Sequence, residues 1–150
     1  MNFEDFQLLE DRHHEEYSSE MMRIFRLKHT PKTITFQVTE DCCLSCTYCY
    51  QHDKKKTHMT PEIGHAAIDW LLASTPENNP YINPENSPAI IIDFIGGEPL
   101  MEIDLIEDLI CYFKRRTIEL NHPWAFRHRF SICSNGVLYF DPRVQSLLQK

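Results

Sequence analysis

The run AIIIDFIGG at residues 89–97 limits the possible fold more than any other stretch. Its consecutive isoleucines ignore the in–out alternation of a half-buried strand, so it reads as a short strand covered on both faces, as parallel sheets require. A parallel strand reaches its neighbour only through a crossover, usually a helix. The helix follows directly: over residues 102–116, Leu105, Ile106, Leu109, Ile110 and Phe113 form an apolar stripe. Acidic residues open this helix and Lys114 to Arg116 close it, as the helix dipole prefers.

The same cycle stands on either side. TITFQVTE, from Thr33, alternates β-branched and aromatic residues with polar ones, and predicts a strand that runs into CCLSCTYCY at residues 42–50. Thr60 and Pro61 then predict a capped helix with Ile63, Ala67, Trp70 and Leu71 on its apolar face and an end near Ser74. FRHRFSICSNG predicts a third strand ending in Ser134, Asn135 and Gly136, and Asp141 and Pro142 start a helix expected to run on to Lys150. PENNPYINPENSP is expected to be a surface loop. Residues 1–32 form a charged extension with a predicted helix around Met21, Met22, Ile24, Phe25 and Leu27, closed by Pro31. Three strand–helix units imply an α/β fold with a parallel sheet, whose ligands bind at the C-terminal strand ends. All three unusual motifs lie there. Gly96, Gly97 and Gly136, three of only four glycines, also fall at those ends, where glycine permits close backbone approach or a positive φ.

Composition narrows the function. A formal charge of −7, from 22 acidic and 15 basic residues, gives no surface for tracking phosphates, so no nucleic-acid partner is expected. No stretch resembles a signal peptide or a membrane span, which makes the cytoplasm the expected location and a membrane partner unexpected. Six cysteines in a reducing compartment read as metal ligands, reactive thiols or core residues, and four of them in one short loop favour metal. Three parses compete. Cys42-x3-Cys46-x2-Cys49 offers three ligands. Cys43-x2-Cys46-x2-Cys49 is a ferredoxin-like run, but Asp53 stands where its fourth cysteine belongs. The same set completed by His52 would suit a tetrahedral zinc site.

The first parse, with Tyr48 before its last cysteine, resembles the radical S-adenosylmethionine (SAM) superfamily, whose Cys-x3-Cys-x-aromatic-Cys motif follows the first strand of a partial barrel. The resemblance continues in Gly96, Gly97, Glu98 and Pro99 after the second strand. CTYCY, FIGGEPL and SNG are most similar to the branch of peptide and protein maturases, which includes anaerobic sulfatase-maturing enzymes and ribosomal-peptide modifiers with a C-terminal cysteine-rich extension. This implies that residues 33–150 are the N-terminal half of a radical SAM core domain, namely the first three units of a partial (β/α)6 TIM-like barrel. An unpaired sheet edge and an uncovered apolar inner face are then expected, and the chain alone is expected not to turn over a substrate.

The resemblance also assigns roles. Cys42, Cys46 and Cys49 would hold three irons of a [4Fe-4S] cluster, leaving the fourth for the amino and carboxylate groups of SAM. One electron from the reduced cluster would cleave a carbon–sulfur bond of SAM, giving methionine and a 5′-deoxyadenosyl radical. Tyr48 would lie near the cluster and adenine, or merely anchor its loop. Glu98 and the backbone of Gly96 to Pro99 would accept hydrogen bonds from the SAM ammonium. Ser134 and Asn135 would lie near the SAM ribose or methionine, or make an ordinary turn. The implied partners are a peptide or protein substrate and a flavodoxin-like or ferredoxin electron donor, which Lys54 to Lys56 would help to dock if they are more than a solvated loop. His13, His14, His52 and His58 read as surface residues, and Cys111 and Cys133 as small core residues. A zinc-binding interaction module and a one-cluster electron carrier are the alternatives from non-enzyme classes.

Overall fold

A computed structural model describes residues 30–51 and 55–149. Three strands, β1 (Lys32–Thr39), β2 (Ile90–Gly96) and β3 (His128–Ile132), form one parallel sheet in the order β1-β2-β3. Helix α1 (Pro61–Leu72) links β1 to β2. A 3-10 turn (Pro99–Glu102) leading into α2 (Ile103–Glu119) links β2 to β3, and α3 (Pro142–Leu148) follows β3. The helical extension expected near Met21 to Leu27 lies outside the described residues.

Register decides which residues share a face. Phe36 pairs with Phe94 and Phe94 with Ile132, so Phe36, Val38, Ile90, Ile92 and Phe94 point with Phe130 and Ile132 toward the helices. Phe113 of α2 meets this face edge-on, 5.9 Å from the Phe130 ring and 5.3 Å from that of His128. The opposite face carries Thr33, Thr35 and Gln37 beside Ile91, Asp93 and Ile95, with Arg129 and Ser131 on β3. This corrects the expectation of an apolar inner face. The isoleucine run does supply apolar groups to both sides of β2, but the neighbouring strands put hydroxyls, amides and charges around Ile91 and Ile95.

The stripe expected on α2 is buried as read, with Ile103 and Thr117 added. On α1 Leu71 is buried as expected and Ala67 packs partly buried against the core, joined by the buried Gly64, Ile68 and Leu72, while Ile63 and Trp70 are 58% and 63% exposed. Pro61 starts the helix and Thr60 caps it by accepting from the Ile63 amide, and the buried row is the i, i+4, i+7, i+8 set from Gly64. A side chain at Gly64 would strike Leu109 of α2, so the two helices approach there. Across the same contact Asp69 accepts from Tyr112 Oη at 2.7 Å and Arg116 Nε at 2.9 Å, and the Tyr112 bond in particular holds its carboxyl below the usual carboxylate range. The last helix stops at Leu148 rather than reaching Lys150, with Gln149 as its C-cap.

Cys111 and Cys133 are exposed, not core residues. Cys111 stands one residue past Ile110, roughly 100° around the helix from that buried position. Cys133 lies just beyond β3.

The Pro/Asn-rich loop is more ordered than a surface connection. Asn79, Asn83 and Ser87 are buried, and Asn83 Oδ1 accepts from the amides of Glu85 and Asn86 at 3.0 and 3.1 Å. Ser87 Oγ accepts from the Lys32 amide at 3.1 Å, and Ser87 O accepts from the buried Trp124 indole at 2.9 Å. The loop thereby closes the N-terminal end of the sheet and leaves the C-terminal end to carry ligands. Trp124→Phe keeps an aromatic ring but leaves Ser87 O without its donor. It is expected to cost about 1 to 3 kcal/mol in urea unfolding followed by circular dichroism. An unchanged midpoint would show that the indole bond contributes nothing.

Candidate functional site

The cysteine loop leaves β1 at Thr39 and returns beside it. Glu40 N donates to Thr57 O and Met59 N donates to Val38 O, each at 2.9 Å, and Thr39 bridges His58 in antiparallel sense. Thr39 is buried, and its hydroxyl accepts from the Asp41 amide at 3.0 Å and donates to Thr57 O at 3.3 Å. The base of the loop is therefore a fixed clamp. Its outer part is open: Cys43, Ser45, Thr47, Tyr48 and Tyr50 are exposed, with Tyr48 at 89%.

The diglycine turn presses against that clamp. Gly97 N donates to Thr39 O at 3.0 Å and Glu98 N donates to Asp41 O at 2.8 Å. A Cβ on Gly97 would land on the Asp41 carbonyl, and one on Gly96 would come within 2.7 Å of Thr39 O. Only glycine permits this approach, because the obstacles are backbone atoms that cannot rotate away. Gly136 differs: its φ of 78° demands glycine conformationally, and a side chain there would meet nothing.

Glu98 joins the second strand end to the third. Its side chain is 0% exposed. Oε1 accepts from Leu100 N at 2.9 Å and from Ser134 Oγ at 2.8 Å, and Oε2 accepts from Asn135 N at 2.8 Å. The resemblance implied a carboxylate offered to an incoming ammonium; in the structure these oxygens are engaged by the chain's own donors. Burying such a group is tolerable because it is so fully hydrogen-bonded. Pro99, also buried, starts the 3-10 turn above it.

Asn135 then reaches the cysteines. Its Oδ1 accepts from Val137 N at 2.9 Å, which turns Nδ2 toward Cys42 Sγ at 3.7 Å and Cys43 Sγ at 3.6 Å. Leu44 N also donates to Cys42 Sγ, at 3.4 Å, and Cys42 N donates to Asp41 Oδ1 at 2.9 Å. Cys49 N donates to Cys46 O at 3.2 Å, which makes a tight turn around Tyr48.

Of the residues picked out from sequence, Cys42, Gly96, Gly97, Glu98, Pro99, Ser134 and Asn135 thus form one bonded constellation at the C-terminal strand ends. Cys46, Cys49 and Tyr48 lie further along the same loop. Sequence reasoning missed Thr39 and Asp41, which build the clamp, and the contact of His58 Nδ1 with Glu102 Oε1 at 2.6 Å. For Asp41 a signal existed, since it immediately precedes the cysteine run.

The donor set fits an iron–sulfur cluster. All six thiols are free of disulfides; Cys42, Cys46 and Cys49 are half-buried, whereas Cys43 is exposed. Among the described residues no three His, Cys, Asp or Glu side chains gather around the position of a single ion. A cubane attaches its cysteines to separate irons, so its ligands need not meet at one point. His52, required by the zinc parse, lies outside the described residues.

Comparisons with known proteins point to the same chemistry. Residues 32–129 match the family described as 4Fe-4S single cluster domain. The chain is 37% identical to an uncharacterized protein of Methanocaldococcus jannaschii over 106 residues, 71% of this chain and 33% of that protein. It is 26% identical over 133 residues to a radical SAM cyclopropyl synthase of Paramaledivibacter caminithermalis, covering 79% of this chain and 25% of that protein. The matched region thus spans a third or less of either relative.

The half-buried thiols predict the ligand set. Alanine at Cys42, Cys46 or Cys49 is expected to abolish the visible absorbance of the anaerobically reconstituted cluster, and Cys43→Ala to retain it. Loss at position 43 with retention at 42 would overturn this parse.

Proposed function

The chain belongs to the 4Fe-4S single cluster domain family, and from that premise we propose that it is the cluster-bearing part of a radical SAM enzyme. The observation that carries this reading is the joining of cysteine loop, diglycine turn and Ser134–Asn135 turn through Glu98 and Asn135. The similarity to a radical SAM cyclopropyl synthase supports it independently of that geometry.

In this reading Cys42, Cys46 and Cys49 hold the [4Fe-4S] cluster and leave one iron for SAM. A bound and reduced cluster would supply the one electron needed for reductive cleavage of SAM to methionine and a 5′-deoxyadenosyl radical. The chain's own residues prepare the place. Gly96 to Pro99 form the turn assigned to the SAM ammonium, and Glu98 holds that turn from beneath through the Leu100 amide. Ser134 and Asn135 flank the methionine side. Tyr48, on the exposed side of the loop, is assigned to adenine. The polar sheet face of Thr35, Gln37 and Asp93 leads away from the strand ends and suits the lining of a reaction chamber.

The proposed substrate is a peptide or protein side chain, on the strength of the CTYCY, FIGGEPL and SNG resemblance. An acidic flavodoxin-like or ferredoxin donor is the proposed electron source, with the exposed Lys55 and Lys56 beside the cysteine loop available to it. No helix among the described residues is long and apolar enough to cross a membrane.

A one-cluster electron carrier would share the three cysteines but need no SAM site. Calorimetric titration separates the two: SAM is expected to bind the cluster-loaded chain and not the metal-free chain. Equal binding with and without the cluster, or none with it, would contradict SAM ligation by iron.

A further inference from the structure

The reading above sets Asn135 beside the SAM methionine but gives no task to its carboxamide, although the position of that group is closely defined. Three contacts fix it. Its backbone amide donates to Glu98 Oε2, its side-chain oxygen accepts from Val137 N, and its side-chain nitrogen faces Cys42 and Cys43. The Val137 bond determines which end of the carboxamide is oxygen, so the N–H group is the end presented to sulfur. Glu98, the residue that secures Asn135, is itself buried and bonded to Ser134 of the same turn. The carboxamide thus stands on a rigid support.

We propose that Asn135 is a positioning residue that donates an N–H···S hydrogen bond to Cys42 and thereby raises the reduction potential of the cluster. The proposal rests on Cys42 being a cluster ligand, as in the reading above. Reduction adds negative charge to a cluster and its thiolates, and a donor aimed at a ligand sulfur stabilises that charge. Hydrogen bonds to the sulfurs are among the terms that set iron–sulfur potentials. Cys42 already accepts from Leu44 N at 3.4 Å, and Asn135 approaches the same sulfur from a different strand end. The bond therefore couples the third strand to the first through the cluster ligand. The same nitrogen also lies 3.6 Å from Sγ of Cys43, the neighbouring thiol that the parse leaves off the cluster.

Two substitutions isolate the donor. Asn135→Asp keeps an oxygen for Val137 N but has no N–H, and Asn135→Ser keeps a short acceptor for the same amide but cannot span the distance to sulfur. Redox titrations followed by electron paramagnetic resonance, without SAM, give the midpoint potential of each reconstituted chain. Both variants are expected to hold as much iron and sulfide as the parent, and both potentials to be lower, that of Asn135→Asp the lowest because it adds a negative charge. A parallel measurement uses the unsubstituted chain with asparagine isotopically labelled in its side-chain amide. The reduced cluster is expected to show a weak hyperfine coupling to the labelled nitrogen. Potentials equal to the parent's in cluster-loaded variants would overturn the proposal. Where a variant fails to hold the cluster, absence of that coupling in the parent would overturn it. Failure of the unsubstituted chain to bind any iron–sulfur cluster would be a separate result, overturning the functional reading on which the proposal stands.

Discussion

The site depends on one side chain with no access to water. Glu98 accepts from Leu100, Ser134 and Asn135, and its own amide donates to Asp41, so a single residue ties together the ends of all three strands. Parallel strands pair through their ladders but have no direct connection between their C-terminal loops. Without a tie, each loop would move independently. A buried carboxylate satisfied by three donors is a strong tie, because removing it takes the acceptor from two backbone amides and from the Ser134 hydroxyl. The close approach of Gly97 to Asp41 brings Glu98 to this position, and any larger residue at 97 would push it away.

Above that platform the cysteine loop changes character. Its base is clamped by Thr39, Thr57 and Met59, while its outer part is exposed around Tyr48 and Tyr50. This division suits a metallocluster. A cluster brings its own bonds to the thiols and orders the segment that carries them, so the protein needs to fix only where the loop begins and ends. Cys42 and Cys43, next to the clamp, are the cysteines that the third strand end reaches through Asn135. The sheet face turned away from the described helices carries Thr35, Gln37, Asp93 and Ser131 together with Ile91 and Ile95, below the strand ends.

Much of this was legible before the structure. Hydrophobic period separated strands from helices, and the stripe of Leu105, Ile106, Leu109, Ile110 and Phe113 was read correctly because a long amphipathic helix has one unambiguous apolar face. The shorter α1 carries Ile63 and Trp70 beside a buried row that includes a glycine, and a count of large apolar residues added these two exposed side chains to a face of which Ala67 and Leu71 do turn inward. The buried asparagines of the 76–88 loop were illegible for a different reason: their composition is that of a surface turn, and only Trp124 and Lys32, distant in sequence, show what they close off. The location of the site followed from strand ends and motif order. The task of Glu98 did not, since a glutamate after two glycines looks available, and two of its three donors, from Ser134 and Asn135, stand 36 and 37 positions away.

The central claim is that Cys42, Cys46 and Cys49 hold a four-iron cluster whose remaining iron is open to SAM. Mössbauer spectroscopy of the chain reconstituted with isotopically enriched iron, before and after addition of SAM, tests it most directly. The account predicts the spectrum of a four-iron cluster in which one iron, and only one, changes its isomer shift when SAM is added. A cluster whose irons all stay unchanged in the presence of SAM, or a chain that takes up zinc and no iron, would contradict it.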